Sequence, residues 1–166
     1  MIIIVIGLPG TGKTTFSRAL AQVIDAVHLN TDMIRDDLDL RGHYDRQTKA
    51  LIYQEMMNRV QAALEKGSHV IVDGTFYRRK NREGYRKLAK AQAVDLKWIE
   101  LKAQEQAIRD RVAKKRKYSE ADFKVYLKIK ALFEPMRLAC LELQTDREKD
   151  LQVLVDEAVQ YLGLTA

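Results

Sequence analysis

Nine consecutive residues near the start of the chain constrain the rest more than any other feature. Gly7-Leu8-Pro9-Gly10-Thr11-Gly12-Lys13-Thr14-Thr15 fits the phosphate-loop pattern G-x-x-x-x-G-K-[ST]. Such a loop needs a buried strand before it and a helix after it, and the flanking residues supply both. Ile2–Ile6 is a continuous β-branched apolar run, as in a strand covered on both faces. Thr14–Ile24 spaces Phe16, Ala19, Leu20, Val23 and Ile24 as one face of a helix. Gly10 and Gly12 carry no Cβ, so the main chain can curl and turn its N–H groups inward. Those donors and the helix N-terminus suit a β-phosphate. Gly10, Thr11, Gly12, Lys13, Thr14 and Thr15 are therefore the expected phosphate contacts. Lys13 is expected to reach the β- and γ-phosphates as a mobile charge during transfer, and the Thr14 hydroxyl to ligate Mg²⁺. A nucleoside triphosphate and Mg²⁺ are the ligands this pattern implies.

The remainder of the chain keeps the same rhythm. Val27–Leu29, His69–Val72 and Leu96–Leu101 read as strands, with Leu141–Leu143 as a further short one. Between them, Lys49–Lys66, Arg79–Ala91, Gln104–Arg116, Glu120–Phe133 and Arg147–Leu162 read as helices. Ile52, Met56, Val60, Ala63 and Leu64 form an apolar stripe, and Gly67 stands where a C-terminal cap belongs. Residues between the second strand and Lys49 read as a polar, acid-bearing segment. Strands alternating with helices imply a parallel sheet wrapped on both faces.

The 166 residues suit one domain, 1–166. A 46% hydrophobic and 31% charged composition excludes wholesale disorder and a membrane protein. One cysteine, Cys140, leaves no internal disulfide and suits a reducing compartment. The run Ile2–Ile6 is too short to span a bilayer and lacks the preceding basic residue of a signal peptide, so a cytoplasmic location is expected. The formal charge of +6 is concentrated. Arg78–Lys90 holds seven basic residues against one acid, and Arg109–Lys117 holds six against one. Local positive charge of this kind suits an anionic partner such as a nucleotide, a phosphate ester or nucleic acid, and it also suits two solvated helix faces.

A phosphate loop by itself does not distinguish a kinase from a GTPase or a motor ATPase. The N-K-x-D motif that reads guanine is missing. Asp39-Leu40-Arg41-Gly42 matches D-x-x-G, but no apolar strand precedes it. The chain is also short for the lid subdomain of a motor ATPase. A small kinase remains, and its ligands belong beyond the carboxyl ends of the strands. Asp32 follows the second strand and Asp73 the third. Asp73 is the expected holder of Mg²⁺ or of a metal-bound water, and Asp32 the expected partner of the acceptor hydroxyl, as catalytic base. The roles can be exchanged, which would put Asp73 on the substrate side.

Phosphoryl transfer also needs cations for the developing charge. Arg109, Arg111, Lys114, Lys115, Arg116 and Lys117 lie where a mobile lid belongs, approximately residues 109–118. Arg111 and Arg116 are the expected phosphate clamps, since a planar fork fits phosphate better than ammonium. Arg78, Arg82, Arg86 and Lys90 recur every four residues as a slowly turning stripe that could hold an acceptor phosphate or a polynucleotide backbone. The same stripe also reads as a solvated helix face, which is the slightly favoured reading. His28, His43 and His69 show no metal spacing, Trp98 reads as packing, and Cys140 as a buried apolar residue.

The loop Gly7–Thr15, the turn Leu29-Asn30-Thr31-Asp32 with Arg35 after it, and Val70-Ile71-Val72-Asp73-Gly74-Thr75-Phe76 resemble the small P-loop kinases related to polynucleotide kinase and the zeta toxins. The Arg116 region, Ser119-Glu120-Ala121-Asp122, Tyr126 and Phe133-Glu134-Pro135 resemble the lid and post-lid helix of that group. The resemblance implies a three-layer α/β P-loop NTPase fold with a five-stranded parallel sheet and a small basic lid, and Mg-ATP as donor. By position it makes Asp32 similar to the general base, Arg35 to an acceptor-phosphate contact, and Arg111 or Arg116 to a lid arginine. Met33 follows Asp32 where the phage-type enzyme has a second Asp, and the lid here is richer in lysine.

The expected activity is therefore ATP-dependent phosphoryl transfer to a hydroxyl, with a polynucleotide 5′-hydroxyl as the leading acceptor. The alternatives are a nucleoside, sugar or antibiotic acceptor, and a nucleotide-gated RNA- or tRNA-binding accessory ATPase.

Overall fold

The computed structural model describes residues 1–113, 123–146 and 150–164. Strand β1 (Ile2–Ile6) lies at the centre, with every residue wholly out of solvent. Each such aliphatic side chain contributes about 1.5–3 kcal/mol relative to exposure. Strand β3 (His69–Gly74) pairs with β1 on one side and β4 (Leu96–Lys102) on the other, both parallel. Strands β2 (Ala26–Asn30) and β5 (Leu141–Gln144) complete the order β2-β3-β1-β4-β5. The five-stranded parallel sheet is the one expected. Its connections reverse direction at β1, so the loop after β1 opens into the crevice where such sheets bind ligands.

The pleat of β1 sorts the helices into two layers. Ile3 and Val5 face helices α1 (Lys13–Val23) and α7 (Leu151–Leu162), packing with Phe16, Leu20, Leu154 and Ala158. Ile2, Ile4 and Ile6 face α3 (Arg46–Glu65) and α4 (Arg79–Ala91), packing with Ile52, Met56, Val60 and Tyr85. Trp98 joins that second layer as a packing residue. Gly67 ends α3 with φ +79°. There the Gly67 N–H donates to the Leu64 carbonyl and the Ser68 N–H to that of Ala63, a glycine-type helix stop.

Several boundaries differ from expectation. Helix α3 starts at Arg46, because the Asp45 carboxylate caps the N–H groups of Gln47 and Thr48. The polar segment after β2 contains a seven-residue helix, α2 (Thr31–Asp37). Its only wholly buried apolar side chain is Ile34, which leaves no periodic stripe to read. The Asn30 side chain caps it by accepting from the Met33 N–H at 2.8 Å. Helices α5 (Glu105–Ala113) and α6 (Phe123–Leu132) pack through Ile108, Tyr126 and Phe123. The expected lid residues Lys114, Lys115, Arg116 and Lys117, and the stretch Ser119-Glu120-Ala121-Asp122, lie outside the described residues. Among the described residues, no helix is long and apolar enough to cross a membrane.

Candidate functional site

The loop between β1 and α1 is built by its glycines. Gly10 and Gly12 take φ +86° and +89°, a region costly for any residue with a Cβ. The Thr11 hydroxyl donates to the Leu8 carbonyl at 2.9 Å and fastens the turn. Lys13 bends back over the loop, its Nζ donating to the Leu8 carbonyl at 2.9 Å. Gly12 occupies the N-cap of α1 with no side chain capping it, so the helix presents its main-chain donors and the positive end of its dipole at the loop. Thr14 follows in the first turn, half-buried, and Thr15 is exposed.

β2 and β3 bring a polar cluster to the same end of the sheet. Asn30 pairs with Asp73 across the two strands. The Asp73 carboxylate is buried and carries three hydrogen bonds. Its Oδ1 accepts from the Thr14 hydroxyl at 3.3 Å. Its Oδ2 accepts from Asn30 Nδ2 at 3.2 Å and bonds His28 Nε2 at 2.5 Å. Asp73 lies inside strand β3 rather than after it, so its main chain is held on both sides by β1 and β2. Thr14 Oγ1 and Asp73 Oδ1 form a facing pair of hard oxygens beside the loop. One hydroxyl and one carboxylate fit Mg²⁺, a cation that takes few protein ligands and draws the rest from phosphate and water.

Asp32 stands in the first turn of α2, about two-thirds buried. The Arg35 Nη1 lies 3.3 Å from Asp32 Oδ1 and also donates to the Thr31 carbonyl. The Arg35 guanidinium lies 4.8 Å above the Tyr44 ring, and the residue is only 8% exposed. Its Nε makes no hydrogen bond. Burial pushes the Tyr53 phenol up, Tyr77 adds to the rise, and the positive charge of Arg35 opposes it. Arg35, Tyr53 and Tyr77 are thus electrostatic neighbours, and Asn81 Nδ2 reaches the Tyr53 hydroxyl at 3.5 Å. Tyr44 and Tyr53 thus neighbour the buried Arg35 cation, which in turn pairs with Asp32.

The basic segments divide. Arg111 is drawn to the phosphate loop: its Nη1 donates to Thr145 Oγ1 at 3.0 Å and to the Gly10 carbonyl at 3.5 Å. The Thr145 hydroxyl donates to the Thr11 carbonyl at 2.8 Å, so the end of β5, helix α5 and the loop are tied together. Arg109 stacks 4.2 Å from the Phe123 ring. Arg116 lies outside the described residues.

Arg78 is exposed at the N-cap of α4 and shares a cleft of about 560 Å³ with Arg79, Lys80 and Glu134. The Arg79 N–H donates to the Glu134 carboxylate at 2.7 Å. Arg82 leaves the expected stripe altogether. A four-residue repeat drifts around a helix of 3.6 residues per turn. Arg82 lies three and seven residues before Tyr85 and Ala89, on the same inward face and 4% exposed, and the drift carries Arg86 and Lys90 out to solvent. Its Nε donates to the Phe76 carbonyl at 2.8 Å, Nη1 to that of Pro135 at 3.3 Å, and Nη2 to those of Tyr77 and Glu134. Arg82 is a main-chain clamp between the β3–α4 connection and the segment after α6, not an open phosphate contact.

Sequence reasoning missed His28, Tyr53, Tyr77 and Thr145. The register of β2 against β3 makes His28 significant, and an isolated histidine does not disclose it. Asn30 carried a signal as a cap residue directly before an acid-bearing turn.

A family profile for the AAA domain matches residues 2–136. The chain is 33% identical to the L-seryl-tRNA(Sec) kinase of Methanococcus maripaludis over 108 residues, 62% of this chain and 41% of that protein. The matched stretches cover less than half of the curated relatives' own length. Among solved structures, a sugar kinase from Janibacter sp. HTCC2649 superposes with a TM-score of 0.74 at 16% identity, over 99% of this chain and 95% of the other. The Mycobacterium tuberculosis APS kinase CysC in complex with AMPPNP and APS superposes with a TM-score of 0.73 at 15% identity, over 98% and 96%. Both show the same fold.

Proposed function

Because the chain belongs to the AAA domain family, we propose that it is an ATP-dependent phosphotransferase that moves the γ-phosphoryl group onto an acceptor hydroxyl. The observation that carries this reading is the Thr14–Asp73 pair beside the phosphate loop. The loop main chain and Lys13 hold the triphosphate. Thr14 and Asp73 hold Mg²⁺, which supplies charge neutralisation at the phosphates when bound. Asp32 accepts the hydrogen bond of the acceptor hydroxyl, orients it in line and takes its proton late, as a carboxylate suits a loose transition state. Arg111 sits against Gly10 and Thr145, on the nucleotide side, and stabilises charge there.

The acceptor is a hydroxyl compound that also carries an anionic group. Arg35 supports this: a cation 8% exposed, beside Asp32, with Nε unsatisfied. A polynucleotide 5′-end belongs to this class, but it loses support with Arg82 turned inward. Small anionic alcohols now lead. The test is labelled ATP offered with DNA and RNA 5′-hydroxyl oligomers, tRNA, nucleosides, neutral sugars, sugar acids and sugar phosphates. Label on an anionic alcohol supports the reading, and label on neutral sugars alone refutes its acceptor part. Transfer to oligomers should weaken steeply with salt, and transfer to a small acceptor much less.

A further inference from the structure

The proposed phosphoryl transfer makes no use of His28, yet His28 makes the shortest contact to Asp73. It lies two residues before Asn30 on β2, so both side chains leave the strand on one face. Their register partners are Ile71 and Asp73, and Ile71 packs with Phe16 and Leu20 of α1. The pair therefore faces the helix that begins at the phosphate loop.

A carboxylate offers two oxygens, and hydrogen bonds that commit one of them present the other to a ligand. Here Oδ2 of Asp73 receives both donors, His28 Nε2 at 2.5 Å and Asn30 Nδ2 at 3.2 Å. Oδ1 is left beside the Thr14 hydroxyl. Asn30 cannot be turned freely to this task, because its Oδ1 is fixed by capping the Met33 N–H. His28 and Asp73 side chains are 9% and 5% exposed, so water competes little for the contact.

We propose that His28 is a positioning residue: by holding Oδ2 of Asp73 it presents Oδ1, paired with Thr14 Oγ1, to the divalent cation of a bound nucleotide. The role requires the hydrogen on Nε2. It rests on the loop binding a metal–nucleotide complex as proposed above, and it is independent of the acceptor. Hydrogen bonds behind a metal-binding carboxylate typically change metal affinity 10–100-fold when removed.

The test compares His28→Leu, which has no donor, with His28→Gln, whose amide nitrogen falls near the place of Nε2. His28→Asn, whose shorter amide cannot reach Asp73, is the second loss variant should leucine fail to fold. Thermal midpoints report folding. Calorimetry gives ADP affinity without metal, and Mn²⁺ resonance gives metal affinity of the protein–ADP complex. We expect metal-free ADP affinity to be the same in all folded variants. Mn²⁺ affinity should fall about tenfold or more in His28→Leu and His28→Asn and stay near wild type in His28→Gln. A folded leucine or asparagine variant that binds Mn²⁺ as wild type does would overturn the proposal. So would a glutamine variant as weak as these two. Absence of any Mn²⁺–ADP complex in the wild-type protein would instead remove the nucleotide reading on which the proposal stands.

Discussion

The main-chain oxygen of Leu101 lies 2.5 Å from where a β-carbon on Gly7 would stand, with the Thr11 hydroxyl 2.8 Å from the same point. Gly7 is therefore fixed by close approach of β4 to the end of β1, whereas Gly12 is fixed by its positive φ and meets nothing within 4 Å. The two glycines should fail differently. Gly7→Ala must push backbone against backbone and should destabilise by about 1–3 kcal/mol, with loss of ADP binding. Gly12→Ala strains only the local backbone, about 1–2 kcal/mol. Urea unfolding with ADP calorimetry on both variants separates the two.

Asp32→Asn keeps the shape of the side chain and removes its capacity to take a proton. We expect turnover to fall about 100-fold or more while ATP affinity stays close to wild type, because Asp32 serves the acceptor side. An unchanged rate would point to a nucleotide-gated binding module in place of a kinase.

The central features of this fold were legible for physical reasons. Ile2–Ile6 could be read because a strand covered on both faces must be apolar throughout, and Gly67 because a left-handed helix stop favours glycine. The phosphate loop could be read because its function constrains consecutive residues. Helix α2 could not, because seven residues with one buried aliphatic side chain have no periodicity, and its stability comes from Asn30 and from packing. His28 gained its meaning from strand register, a relation between residues 45 positions apart. Arg82 misled because a repeat of four reads as one stripe, whereas Arg82 shares the buried face of Tyr85 and Ala89 and the repeat then rotates Arg86 and Lys90 away from it.

Arg82 and Arg86 offer a matched comparison. Arg82 serves four carbonyls in a buried setting, and desolvation lowers its pKa. Arg86 is half-exposed and pairs with Glu83 three residues earlier. Arg82→Ala leaves buried carbonyls unsatisfied and should destabilise by about 2–4 kcal/mol. Arg86→Ala should cost no more than about 0.5 kcal/mol. Chemical denaturation of the two variants checks the contrast, and equal effects would mean that Arg82 is not the clamp described.

Tyr85 is 1% exposed and packs edge-to-face on Phe76 with ring centroids 5.4 Å apart, yet its hydroxyl makes no hydrogen bond. Tyr85→Phe keeps the ring contact and removes the unsatisfied group, so it should stabilise the fold by about 1 kcal/mol. Burial, aided by Tyr53, raises the Tyr85 phenol far above its ordinary value. A raised folded-state pKa means that the unfolded chain releases this proton first. The contribution of the neutral phenol to stability is therefore intact below about pH 10 and declines as pH rises beyond it. Wild-type stability should fall on that alkaline limb more steeply than that of Tyr85→Phe. Denaturant midpoints at pH 8 through 11 measure both effects at once. A phenylalanine variant less stable at neutral pH would show that the hydroxyl is satisfied after all.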